Sequence, residues 1–97
     1  MAEQAAHLKL DEIKVGFRVL ATDGHVGKVI EVLVGTPLEG SYLGIRLGGW
    51  FGKDLYLPVD HVRTVTEPNV MLDIPRRTLE AVATRGRPRA FGPGGGR

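Results

Sequence analysis

His7, His25 and His61 are the only imidazoles in a chain of 97 residues that contains no cysteine. A zinc site takes three or four such ligands, usually with local spacing such as H-x-x-x-H, and no histidine here has a second one within a turn of helix or a strand pair. The three read as surface or turn residues, with His61 beside Asp60 as a polar pair capping a turn. Asp54 and Asp60 stand on either side of Pro58, and nothing in their spacing fixes one as acid and the other as base. No serine lies in a G-x-S-x-G elbow. The glycine-rich run Gly48-Gly49-Trp50-Phe51-Gly52-Lys53 lacks the spacing and the Lys-Ser/Thr ending of a phosphate loop. The expectation is a non-enzymatic protein with no catalytic residue, no metal ligand and no cofactor.

Two other constellations could bind rather than react. Trp50 and Phe51, followed by Lys53, are large apolar side chains set among glycines where a loop between strands is ordinarily polar. One reading folds one of them back to close the mouth of the fold; the other exposes it as an anchor for a protein partner, because aromatics concentrate binding energy at interfaces. The second constellation is Arg85-Gly86-Arg87-Pro88-Arg89, which resembles the core of an AT-hook. There an extended Arg-Gly-Arg lies in the A·T minor groove, glycine permitting close backbone approach. The alternative is a solubilising tail that touches anionic surfaces without selectivity.

Charge weighs on that choice. The net charge is +2, but residues 1–84 sum to −2 and residues 85–97 to +4. Nucleic-acid affinity comes largely from phosphate neutralisation, so a body this nearly neutral is not built to grip a backbone, and any such contact is expected to be weak and confined to the tail. No run approaches the roughly 18 apolar residues of a membrane span, and the opening MAEQAAHLKLDE lacks the continuous apolar core of a signal peptide. A cytoplasmic protein without membrane insertion is expected.

What must position these groups is a set of short strands. Val15, Phe17, Val19 and Ala21 alternate with polar residues, the period of a strand with one buried face, and Asp23-Gly24 supplies a hairpin turn. His25 to Val34 places Val26, Ile30, Val32 and Val34 on one side and Val29 and Leu33 on the other, so this long strand is expected to bend, with Gly27 marking the bend. Leu43, Ile45 and Leu47 alternate, then Leu55, Leu57 and Val59, with Pro58 ending its strand or lying at an edge. Val59-Asp60-His61 predicts a single turn into Val62 to Thr66, and Val70, Leu72 and Ile74 predict a sixth strand. After Pro75, Leu79, Val82 and Ala83 fall at helical spacing and predict a short helix whose apolar stripe plugs one end. Residues 85–97 hold seven Gly or Pro among thirteen and predict a disordered tail. The organisation is therefore a flexible N-terminus at 1–12, one domain at 13–84 and the tail at 85–97.

The ordered set Asp23-Gly24-His25-Val26-Gly27-Lys28-Val29-Ile30-Glu31-Val32-Leu33-Val34, Tyr42-Leu43-Gly44-Ile45 and Leu55-Tyr56-Leu57-Pro58-Val59-Asp60-His61-Val62 resembles the PRC-barrel domain. About three quarters of the chain is covered. The resemblance implies a mainly β fold, a small six-stranded barrel used as a binding or assembly module. Similar domains make protein contacts in the photosynthetic reaction centre H subunit and in the ribosome maturation factor. For a small barrel with open strand edges the expected partner is another copy of itself, giving a homo-oligomer, or else an unidentified protein. A nucleic-acid- or ribosome-associated role through the basic tail is the alternative.

Overall fold

The computed structural model describes residues 10–48 and 52–92. The chain is mainly β: β1 (Arg18–Ala21), β2 (Gly24–Leu33), β3 (Tyr42–Leu47), β4 (Asp54–Pro58), β5 (Val62–Thr66) and β6 (Asn69–Leu72), followed by one short helix, α1 (Arg76–Val82). Single 3-10 turns lie at Leu10–Glu12, Val59–His61 and Arg89–Phe91. Among the described residues no helix is long and apolar enough to cross a membrane.

All six strands form one sheet in the order β4-β3-β2-β1-β6-β5. Every neighbouring pair is antiparallel except β1 and β6, which run parallel. Laid flat, such a sheet would hold its two edge strands about 24 Å apart, at roughly 4.8 Å per step. Yet Leu55 and Leu57 of β4 and Val62 of β5 share one hydrophobic cluster with Val19, Val29, Ile45 and Val70. The sheet is therefore curled around its core, and the 3-10 turn at Val59–His61 joins the two edge strands directly.

Alternation dictates which residues line the inside. Phe17, Val19 and Ala21 are buried, as are Leu43, Ile45 and Leu47, and then Leu55 and Leu57. Val15 breaks the expected series: it precedes β1 and is 70% exposed. Leu79 is the one fully buried residue of α1 and packs within the same cluster, while Val82 turns outward. The N-terminus of α1 is tied down from a distance, because the Asp23 carboxylate in the β1–β2 turn accepts a 3.1 Å hydrogen bond from the Arg76 amide. That satisfies one of the amides a helix start leaves unpaired.

β2 bends because it carries two register shifts. Val19 pairs with Gly27 but Leu20 with His25, leaving Val26 as an extra residue against β1. Val29 pairs with Ile45 but Glu31 with Gly44, leaving Ile30 extra against β3. Each bulge reverses which side of the strand faces in. Val29 and Val32 thus both pack toward the core, whereas Leu33 is buried on the opposite face, outside the main cluster. Gly27 adjoins the first bulge, but its lack of a side chain serves a different purpose. A Cβ there would overlap the Arg46 carbonyl oxygen of β3 and stand 2.9 Å from that carbonyl carbon.

The expectation of a disordered tail from Arg85 is corrected for residues 85–92, and residues 93–97 lie outside the described residues. Residues 84–92 lie against the outer face of β2, β3 and β4. Thr84 bridges to Tyr56, Arg87 reaches Glu31, and Phe91 packs on Tyr42. Composition understated this stretch because specific contacts such as these, rather than an apolar run, hold it. At the other end, Leu10 packs against the core from its 3-10 turn, so the part of 1–12 that is described is anchored.

Candidate functional site

The first surface is a groove of about 410 Å³ beside the start of the β3–β4 connection. Val15, Ile30 and Leu47 supply its apolar walls and His25, Lys28 and Arg46 its polar rim; among the described residues no acidic side chain lines it. The turn before β1 holds Val15 over β2. Gly16 sits at φ +97, its amide donates to the Val29 carbonyl at 2.8 Å, and the Val29 amide donates back to the Phe17 carbonyl at 2.8 Å. Only glycine adopts that φ without strain, so Gly16 lets the backbone reverse there and leaves Val15 raised into solvent. Ile30, the extra residue of the second bulge, is turned toward the same groove.

The base of the β3–β4 connection is clamped. The Leu47 amide donates to the Lys53 carbonyl at 2.8 Å, and Arg46 forks onto Asp54 through Nε–Oδ1 at 2.8 Å and a second nitrogen to Oδ2 at 3.1 Å. Hydrogen bonding from Arg46 holds the Asp54 carboxyl below its ordinary range. The same pairing raises the Arg46 guanidinium still further. Asp54 is thus committed to Arg46 and not to Asp60, which is exposed in its 3-10 turn. Lys53 is half exposed and lies 3.8 Å from Glu80 of α1. Trp50 and Phe51, the two aromatics expected at this tip, lie outside the described residues.

The histidines separate. His25 is on the groove rim, and His61 faces Asp73 at 3.5 Å, in place of the Asp60 contact expected from adjacency. Adjacent residues of a tight turn point apart, whereas the β5–β6 pairing brings Asp73 back to His61, whose carbonyl also accepts the Asp73 amide at 2.9 Å. His7 lies outside the described residues. Among the described residues no three His, Asp or Glu side chains converge as metal ligands would.

The second surface was not expected. On the outer face of β2–β4, the Glu31 carboxylate accepts the Tyr56 hydroxyl at 3.0 Å through one oxygen and Arg87 at 2.8 Å through the other. Glu31 and Arg87 side chains are only 28% and 15% exposed. The Tyr56 hydroxyl is pushed above its ordinary pKa, first by burial and then by its bond to the Glu31 carboxylate. Gly44 makes room for this, since a Cβ there would stand 2.9 Å from the Tyr56 ring and 3.2 Å from Glu31. The sequence signal that marks the face is aromatic: Tyr42 and Tyr56 occupy positions that alternation assigns to solvent. Of the four tail residues singled out as a nucleic-acid contact, Arg87 is held by Glu31, while Arg85, Gly86 and Arg89 are exposed.

Comparison of the chain with family models, with curated proteins and with solved structures finds no match.

Proposed function

We propose that this chain is a non-enzymatic protein-association module of the PRC-barrel type, acting chiefly by self-association, with the groove and the adjoining β3–β4 tip as its contact surface. The observation that carries this reading is the raised, 70% exposed Val15 beside the half-buried Ile30, over a groove floored by the buried Leu47 and rimmed by His25, Lys28 and the Asp54-paired Arg46. Apolar residues ringed by polar ones are the usual make-up of an interface core and rim. A complementary surface exists on the same chain. Asp11, Glu12 and Glu67 outnumber Lys14 in a second depression, and Asp11 and Glu12 lie a few residues before Val15. A two-fold arrangement of two copies places each basic rim against the other's acidic cluster, so both pairings form at once. The polar groups of the groove include no nucleophile beside a base, which favours binding over chemistry.

Sedimentation of the full chain across a wide concentration range tests the reading. Wild type is expected to dimerise, more weakly at high salt because part of the attraction is between rim charges. Val15→Glu, which removes no buried packing, is expected to shift the protein to monomer. Trp50→Ala is expected to cost the dimer about 2 kcal/mol if Trp50 is the anchor. A wild type that stays monomeric at millimolar concentration overturns the proposal. The nucleic-acid reading receives less support, because in this conformation Arg87, the second arginine of the Arg-Gly-Arg core, is engaged by Glu31.

A further inference from the structure

Residues 84–92 are seated on the outer face of β2–β4 in the way a bound peptide is. Three kinds of recognition act together. Thr84 adds to the open edge of β4 as one rung of a strand, the Tyr56 amide donating to its carbonyl at 2.7 Å and its amide donating to the Tyr56 carbonyl at 2.9 Å. Edge addition of this kind is a recurrent way to bind extended peptides. Three residues on, Arg87 enters an acidic socket formed by Glu31, whose second oxygen is held by the Tyr56 hydroxyl, so the carboxylate is oriented before the arginine arrives. Four residues further, Phe91 meets the edge of Tyr42 with ring centroids 6.0 Å apart and planes at 81°. A side chain on Gly35 would come within 3.0 Å of that ring. Gly44 thus leaves the recess that the Tyr56 ring occupies, and Gly35, which also lies close against the Gly40 carbonyl, borders the phenylalanine.

The segment follows α1 after Ala83, and the Thr84 hydroxyl donates to the Gly86 carbonyl at 2.9 Å within it. Arg85 and Gly86 are exposed, and a side chain on Gly86 would meet nothing within 4 Å. Compared with the strands, which carry continuous ladders, this segment meets the sheet at separated points, among them the Thr84 bridge, the Arg87–Glu31 pair and the Phe91–Tyr42 ring contact, the arrangement from which local opening is drawn. We infer that the outer face of β2–β4 is a binding site for an arginine-and-aromatic peptide, filled by residues 84–92 of the same chain and open to the same segment of a second copy. Exchange of an identical segment between copies needs no new contact, because each copy carries both the site and its ligand.

The test uses the full chain and a labelled peptide of residues 84–92, Thr-Arg-Gly-Arg-Pro-Arg-Ala-Phe-Gly. Arg87→Ala with Phe91→Ala in the protein vacates the site; Phe91→Ala alone, which removes one half-buried ring, serves if the double variant fails to fold. By fluorescence anisotropy, the vacated protein is expected to bind the peptide roughly tenfold or more tighter than wild type, whose own segment competes. Adding Glu31→Gln to the vacated protein, or Arg87→Ala to the peptide, is expected to remove most of that binding, since each deletes a charge-assisted bond. Equal binding by wild type and vacated protein overturns the inference. So does indifference to Glu31→Gln, or equal binding of a scrambled peptide of the same composition, which would mark charge alone. Absence of binding to a vacated protein that melts cooperatively overturns it as well.

Discussion

Gly27→Ala is expected to destabilise the fold by about 2–4 kcal/mol, although it adds a single methyl group. The new Cβ would overlap the Arg46 carbonyl oxygen and stand 2.9 Å from its carbon and 3.0 Å from Leu47 Cα. Carbon atoms rest at about 3.5–4.0 Å, so β3 must withdraw from β2 by more than about 0.6 Å along this stretch. The hydrogen bond from the Gly48 amide to the Val26 carbonyl, 2.9 Å long, lies directly in the path of that movement. Stretching it by so much places it outside good geometry, and one or two ladder bonds at about 1 kcal/mol each are forfeited. Opening the contact around Val26 and Leu47, both buried in the core, adds about 1–2 kcal/mol more, within the range of overpacking. For a domain this size that lowers the melting temperature by roughly 10–25 °C. Urea titration followed by far-ultraviolet circular dichroism measures it. Gly48→Ala is the control, because among the described residues a Cβ there would have only the Val26 carbonyl oxygen nearby, at 3.8 Å. If Gly27→Ala unfolds within about 0.5 kcal/mol of wild type, the close approach of β2 to β3 is not what the glycine serves.

Leu79→Ala should cost about 2–5 kcal/mol in the same titration, since Leu79 is fully buried and α1 offers no other buried side chain to collapse into the space. Gly24, at φ +135, should tolerate valine poorly, with a loss of about 1–3 kcal/mol for forcing a β-branched residue into that conformation. The Tyr56 pKa is raised in the folded state, so its contribution to stability is intact below the ordinary tyrosine range and is lost as pH rises through the folded value. Absorbance at 295 nm should show one tyrosine titrating late, and Tyr56→Phe should abolish that step. Asp54 behaves in the opposite sense. Its depressed carboxyl contributes above the unfolded value and loses that contribution as pH falls through the folded one, so Asp54→Asn should flatten the acid limb of a stability-against-pH curve.

Period-two alternation carried most of the architecture. Strands such as Leu43-Gly44-Ile45 and Leu55-Tyr56-Leu57 show one buried face in the chain itself, and Pro58 marked its edge strand correctly. Alternation misled at Val15 because a positive-φ glycine at position 16 turns the backbone before β1 begins. In β2 it indicated a bend but not its cause: the extra residues Val26 and Ile30 are defined by partners on two other strands, which a local pattern does not contain. The outer-face contacts were hidden for a related reason. Glu31, Tyr56 and Arg87 are distant in sequence, and each reads alone as an ordinary exposed polar residue. Only in the folded sheet does Gly44 open the space that brings Glu31 and Tyr56 together. The Asp23 cap on α1 likewise joins positions 53 residues apart.

The parallel pairing of β1 with β6 bears on how the chain acquires its shape. β1 to β4 are successive antiparallel neighbours, so they can zip together through short connections in the order they are synthesised. One side of β1 is excluded from that process. It waits for Asn69–Leu72, and bringing Asn69 to Arg18 closes a loop of about fifty residues at an entropic cost of roughly 3 kcal/mol. Until then Arg18–Leu20 presents unpaired amides and carbonyls, the kind of surface on which another chain's strand can settle. The rate-limiting event is therefore expected to be the capture of the β5–β6 hairpin by β1. Destabilising that hairpin should lengthen the lifetime of an aggregation-prone four-stranded precursor even where the finished fold survives.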